Sequence, residues 1–90
     1  MNQPSDIKVE YAELAFAHLL AEPEELARFM QASGYTPETL RRAIDSPELG
    51  TALIDYFAQN EALLLALCAN AAIDPAHFMR VWSRDQIHDA

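Results

Sequence analysis

The sequence NEALLLALCANAA, residues 60–72, is the most apolar run in the chain. Asn60 can cap a helix over this run, and one face of that helix would hold Leu64, Leu67, Cys68 and Ala71. Apolar residues also fill the flanks, a pattern typical of a buried helix. The run is shorter than the about 20 residues that a membrane span needs. We therefore predict a central core helix, with Leu64 and Leu67 fully buried and the other helices packed around it.

Prolines and the residues before them mark the starts of the other helices. Thr36, Ser46 and Asp74 can each cap a helix that begins with the proline after them. Pro23 can start a helix that Gly34 ends in the left-handed conformation. The predicted buried faces of these helices contain Val9, Ala12, Phe16, Leu19, Leu20, Leu26, Phe29, Met30, Leu40, Ala43, Ile44, Leu49, Ala52, Leu53, Tyr56, Phe57, Phe78, Val81 and Trp82.

The fold class follows from the helical spacing of the apolar residues and from the absence of strand and hairpin signals. No stretch alternates with a period of two, and no Asn-Gly or Asp-Gly turn occurs, so strands are not expected. Ninety residues suffice for one small domain. We predict an all-α fold, a compact orthogonal bundle of five to six short helices, with flexible tails at residues 1–6 and 84–90.

The chain also matches itself at an offset of 38 residues, which predicts two three-helix units. Thr36 corresponds to Asp74 as a helix cap. The other corresponding pairs are Phe16 with Ile54, Leu19 with Phe57, Leu26 with Leu64, Phe29 with Leu67, Tyr35 with Ile73, Pro37 with Pro75 and Leu40 with Phe78.

The charge of the chain disfavours two classes of partner. Fourteen acidic and six basic residues give a net charge of −8. Such a field opposes nonspecific binding to nucleic acid and to anionic membranes. The single cysteine excludes an internal disulfide, and no secretion leader is recognisable at the start of the chain. We expect a cytoplasmic protein.

Several segments resemble a small bacterial family, domain-of-unknown-function family 3572. The matching segments are LARFM at 26–30, GYTPETL at 34–40, LIDYF at 53–57, NE at 60–61, LL at 63–64 and IDP at 73–75. The resemblance covers about residues 12–81, and it departs at Ala72, where glycine would be the more usual helix terminator. It implies a small, all-helical, cytoplasmic bacterial protein, and it supplies no catalytic residues.

One alternative function is a degenerate helix-turn-helix that binds nucleic acid. Leu26 to Ile44 would supply a helix, a glycine turn and a second helix with Arg41 and Arg42. The acidic residues around these arginines oppose contact with phosphates. An acyl carrier protein is a weaker alternative, because Asp45-Ser46 resembles the start of its attachment motif but Ser46 is explained as a helix cap.

Sites for chemistry are not expected from the remaining polar residues. His18, His77 and His88 have no partner at ligand spacing, so we predict no metal site. Cys68 fits a small buried apolar residue, and the carboxylates fit capping and solubility positions. No catalytic residues and no cofactor are predicted, and the protein is expected not to be an enzyme.

A cluster near the end of the chain is the candidate interaction surface. Phe78, Met79 and Trp82 lie within five residues, and one helix face cannot bury all three equally. Met and Trp are both suited to contact surfaces. The leading hypothesis is a small acidic interaction or regulatory module, whose partner is an unknown protein or a second copy of the chain.

Overall fold

The computed structural model describes residues 4–88, and it describes side chains for residues 7–84. Six α-helices follow one another: α1 Pro4–Leu20, α2 Pro23–Ser33, α3 Pro37–Arg42, α4 Pro47–Ala58, α5 Glu61–Ala71 and α6 Pro75–His88. Residues 4–88 contain no strand. The all-α fold and the number of helices predicted from the sequence are confirmed.

The starts of α3 and α4 are fixed by the predicted caps. The Thr36 hydroxyl accepts a hydrogen bond from the Thr39 amide at 3.1 Å, and the Thr39 hydroxyl accepts one from the Thr36 amide at 2.8 Å. This reciprocal pair satisfies two backbone donors that a helix start leaves open. The Ser46 hydroxyl accepts from the Leu49 amide at 3.2 Å. Ser46 therefore serves as a cap, as predicted.

The start of α5 differs from the prediction. Asn60 occupies the cap position, but its side chain makes no capping hydrogen bond. The nitrogen of its side-chain amide, Nδ2, instead donates to the backbone carbonyl oxygen of Tyr56 at 2.6 Å, in the last turn of α4. The Asn60 side chain thus provides a hydrogen-bond donor for a carbonyl group at the end of α4, and it does not cap the start of α5.

The predicted tails overlap the two terminal helices. α1 begins at Pro4, and α6 continues to His88. Within the predicted tails, residues 4–6 and 84–88 are therefore helical. Residues 1–3 and 89–90 lie outside the described part of the chain.

The centre of the bundle is the pair α1 and α4. These two helices make the most extensive contact in the fold, and each also contacts α5 and α6. Small residues meet at this contact: a Cβ added at Gly50 would lie 3.5 Å from the Cβ of Ala12, an ordinary van der Waals distance. The predicted placement of residues 60–72 at the centre is therefore wrong.

Helix α5 buries one face and exposes the other. Leu64, Leu67 and Cys68 are buried, as predicted. Leu65 is 48% exposed, and the alanines on its side of the helix, Ala62, Ala66 and Ala69, are exposed as well. Alanine causes this error in the prediction, because it makes a helix look apolar all round while tolerating exposure.

Three of the predicted core side chains are half exposed. Val9, Leu20 and Ile44 are 55%, 56% and 50% exposed. On α1, Ala15 rather than Leu20 is fully buried, and Tyr11 and Leu14 also pack against the core. Among the predicted positions, these are fully or nearly fully buried: Ala12, Leu19, Phe29, Leu40, Leu49, Leu53, Phe57, Phe78 and Val81.

Two helices end in a left-handed residue, 38 positions apart. Gly34 ends α2 with φ 87°, and Ala72 ends α5 with φ 57°. The Gly34 amide donates to the carbonyl of Met30 at 2.9 Å, and the Ala72 amide donates to that of Cys68. These local correspondences agree with the predicted offset, and a repeat of whole three-helix units stays a prediction.

We expect Ala72→Gly to stabilise the protein by about 0.5–1 kcal/mol, because a side chain at φ 57° is strained and glycine is not. The matched control is Ala69→Gly, also exposed on α5 but inside the helix. It should destabilise by about 1 kcal/mol. Urea unfolding of both variants measures the difference. Equal losses in both variants would contradict a left-handed Ala72.

Candidate interaction groove

An apolar groove runs between α1 and the corner where α3 meets α4. Its volume is about 460 Å³. The residues that line it come from two turns of α1, the α3–α4 turn and the first half of α4: Lys8, Val9, Ala12, Glu13, Phe16, Ile44, Asp45, Ser46, Pro47, Leu49, Gly50 and Leu53.

The walls of this groove carry two half-exposed apolar side chains. Val9 lies on the α1 side and Ile44 on the α3–α4 side, and about half of each side chain is exposed. Phe16 lines the groove further along α1 and is half-buried against the core. The buried lining residues are Ala12, Leu49 and Leu53, and Gly50 lies between the two leucines in the sequence of α4. Concave apolar surface of this kind marks binding sites in folded proteins.

The polar residues of the groove differ in whether they form hydrogen bonds or ion pairs within the protein. The Lys8 ammonium donates to the Thr51 hydroxyl of α4 at 2.7 Å. The Ser46 hydroxyl is occupied by its capping hydrogen bond. Within the described part of the chain, neither Glu13 nor Asp45 forms an ion pair. The groove thus presents two carboxylates beside its apolar walls, neither of them ion-paired to another residue of 7–84.

Sequence reasoning missed this groove because it assigned Val9 and Ile44 to the core. A partial signal existed at Ile44. Asp45, Ser46 and Pro47 start a new helix there, so α3 has to end shortly before Ile44. α3 ends at Arg42, which leaves Ile44 in the turn rather than on the buried helix face. The exposure of Val9 depends on the orientation of α1 and has no local signal.

The predicted surface at the end of the chain is only partly available. Phe78 is fully buried, so it has no exposed area with which to contact a partner. Met79 and Trp82 are partly exposed and pack against the core. The Trp82 indole N–H donates to Asp55 at 2.9 Å, across from α6 to α4. The polar edge of Trp82 is therefore satisfied within the fold.

The two arginines of the helix-turn-helix alternative lie on the shortest helix. α3 has 6 residues, fewer than two turns, and both Arg41 and Arg42 are exposed at its end. Arg42 forms an ion pair with Glu38 at 3.1 Å. An acidic side chain thus accompanies one of the two basic side chains that would contact phosphate.

The described part of the chain holds one buried thiol, and its surroundings disfavour the reactive form. Burial raises the pKa of the Cys68 thiol, and the nearby Asp74 carboxylate raises it further. A thiol with a raised pKa stays protonated at neutral pH and is a poor nucleophile. Among residues 7–84, His, Cys, Asp and Glu do not form a group of three that could hold a metal ion.

A second long-range contact joins α1 to α6 beside that thiol. The Tyr11 hydroxyl and the Nδ1 of His77 are 2.6 Å apart, in a half-buried position. The Tyr11 ring also stacks on Phe78 with centroids 5.5 Å apart. Burial raises the pKa of Tyr11, and the neighbouring Glu10 adds to the shift. Tyr11 therefore stays protonated at neutral pH, and its role here is to connect two helices.

Within the described residues, no single helix is both long and apolar enough to cross a bilayer. α4 and α5 would reach that length only together, and the chain bends by 109° between them.

Most of the chain matches a protein family. The model of a protein family described as "Protein of unknown function (DUF3572)" matches residues 8–85. This range includes every residue that lines the groove. No curated protein and no solved structure matches the chain.

Proposed function

The chain belongs to the DUF3572 family of proteins of unknown function, and we propose that it is a non-enzymatic protein-binding module whose binding site is the groove between α1 and the α3–α4 corner. One observation carries this proposal. Val9 and Ile44, two branched apolar side chains, are about half exposed on opposite walls of the same groove. A partner that covers both side chains would remove their apolar area from water, and this burial would stabilise the complex.

The geometry of the groove favours a helical segment as the occupant. From Lys8 to Phe16 the groove follows α1 over a rise of about 12 Å, which matches roughly two turns of a second helix. Val9 and Phe16 are seven residues apart and therefore lie on the same side of α1. Helices that lay an apolar face into a groove use anchors at this spacing.

The occupant is a segment of another protein rather than a second copy of the chain. Each copy carries a net charge of −8, so two copies repel each other. The same charge supports the expectation that the protein binds neither nucleic acid nor anionic membranes.

The test starts from a displayed library of 16-residue amphipathic helices with one apolar face and randomised edge positions. Helices that bind the wild-type protein are synthesised, and their dissociation constants are measured by fluorescence anisotropy. We expect Val9→Ser and Ile44→Ser each to weaken binding about tenfold, because each removes apolar area from the contact. The matched control, Leu65→Ser, changes an equally exposed side chain on α5 and should leave binding unchanged.

Two outcomes would overturn the proposal. The first is that no helix is enriched, or that the enriched helices bind the groove variants as tightly as the wild type. The second is that the wild type sediments as a dimer that Ile44→Ser dissociates, because the groove would then join two copies of the chain. Thermal unfolding of each variant checks that the fold is retained.

A further inference from the structure

We infer that the segment that binds in the groove carries lysine or arginine along the edges of its apolar face; this inference rests on the proposed function and names the chemistry of the partner. The observation is the pair of carboxylates in the groove. Glu13 belongs to α1 and Asp45 to the α3–α4 turn, so the two apolar walls each contribute one acid.

These two carboxylates are available to a partner. Neither is ion-paired within residues 7–84. In that range the acids with an ion pair are Glu25, with Arg28, and Glu38, with Arg42, and both pairs lie outside the groove. The absence of a partner at the groove therefore leaves two acids that a bound segment can neutralise.

The basic residue of the groove, Lys8, offsets only part of this negative charge. The Lys8 ammonium is directed to α4, where it donates to Thr51 at 2.7 Å. The groove itself holds two acids and one base, and the whole chain, groove included, has a net charge of −8. The local and the global field thus have the same sign.

A negative electrostatic field of this kind has a larger effect on which partner binds than on how tightly the correct partner binds. Exposed ion pairs each change affinity by about two- to fivefold, and complementary fields raise the association rate. Like charges on an acid-edged helix, or on a second copy of the chain, oppose binding at the same place. Apolar contact with Val9 and Ile44 would hold the segment, and Glu13 and Asp45 would discriminate by charge.

Three synthetic helices test the inference. They share one 16-residue apolar face, and their edges carry lysine, glutamine or glutamate. We expect the wild-type protein to bind the lysine helix about tenfold more tightly than the glutamate helix, with the glutamine helix between them. The difference should shrink to about twofold in 1 M salt, where the screening length is only about 3 Å.

A matched pair of variants assigns the preference to the groove. The double variant Glu13→Gln/Asp45→Asn should reduce the preference for lysine over glutamate edges to about twofold. The double variant Glu24→Gln/Glu61→Gln changes the net charge equally at exposed positions outside the groove, and it should preserve most of the preference.

Each result supports or overturns a defined statement. If all three helices bind equally, the inferred basic edge is wrong, while the groove remains a binding site. If none binds, the proposed function fails and the inference with it. If both double variants lose the preference equally, the selection comes from the overall charge rather than from Glu13 and Asp45, and the inference is overturned.

Discussion

Replacing Phe57 by alanine is expected to lower the free energy of unfolding by about 3–5 kcal/mol, the cost of removing a large side chain from a packed interior. Phe57 is fully buried on α4, one helix of the central pair. Its ring contacts the edges of the His18 and Tyr56 rings at centroid distances of 6.0 and 6.2 Å. Small domains have total stabilities of about 5–15 kcal/mol, so this variant should lose much of its stability.

Urea unfolding followed by circular dichroism measures this change. Phe57→Leu keeps most of the volume and should cost about 1.5 kcal/mol or less. Leu65→Ala is the control on α5 and should stay within about 0.5 kcal/mol, because Leu65 is half exposed. If Leu65→Ala lowers the free energy of unfolding more than Phe57→Ala does, the central position of α4 is contradicted, and α5 lies at the centre of the bundle instead.

Local sequence signals predicted the helix starts because the interactions that fix them are local. The Thr36 and Ser46 caps each act within three residues. Gly34 ends α2 through the carbonyl four residues earlier. Helix propensity, capping residues and prolines therefore indicate the same helix boundaries at these positions, and these boundaries do not depend on tertiary packing.

The centre of the fold could not be predicted in the same way. Composition favoured residues 60–72, since they are the most apolar run. The structure instead places α1 beside α4, where Ala12 and Gly50 permit close approach. Hydrophobicity indicates which faces are buried, but the size of side chains at the contact decides which helices come closest.

The groove was missed for a related reason. Val9 and Ile44 have the composition of core residues, and only the arrangement of α1 against the α3–α4 corner leaves them exposed. The contact between Tyr11 and His77 joins residues 66 positions apart in the chain, and no local spacing indicates it. The acids of the groove were interpreted correctly as exposed, but their proximity to apolar walls is a tertiary property.

The last prediction concerns Trp82, which the sequence analysis placed both on a buried helix face and in the candidate interaction surface. Trp82→Ala is expected to lower the free energy of unfolding by about 2–4 kcal/mol, somewhat less than for a fully buried aromatic residue. The half-buried ring packs against the core from α6. Its indole N–H donates to the Asp55 carboxylate at 2.9 Å, and α6 is thereby joined to α4.

Two further variants separate the ring from its hydrogen bond. Trp82→Phe keeps an aromatic ring but removes the donor, and it should cost about 1–2 kcal/mol. The loss is limited because the Gln59 amide also donates to Asp55, at 3.1 and 3.2 Å. Met79→Ser, on the same helix and also partly exposed, should change stability less than Trp82→Ala does. If Trp82→Ala instead leaves urea unfolding unchanged and abolishes binding of the selected helices, then the contact surface lies at the end of α6 and the groove is not the binding site.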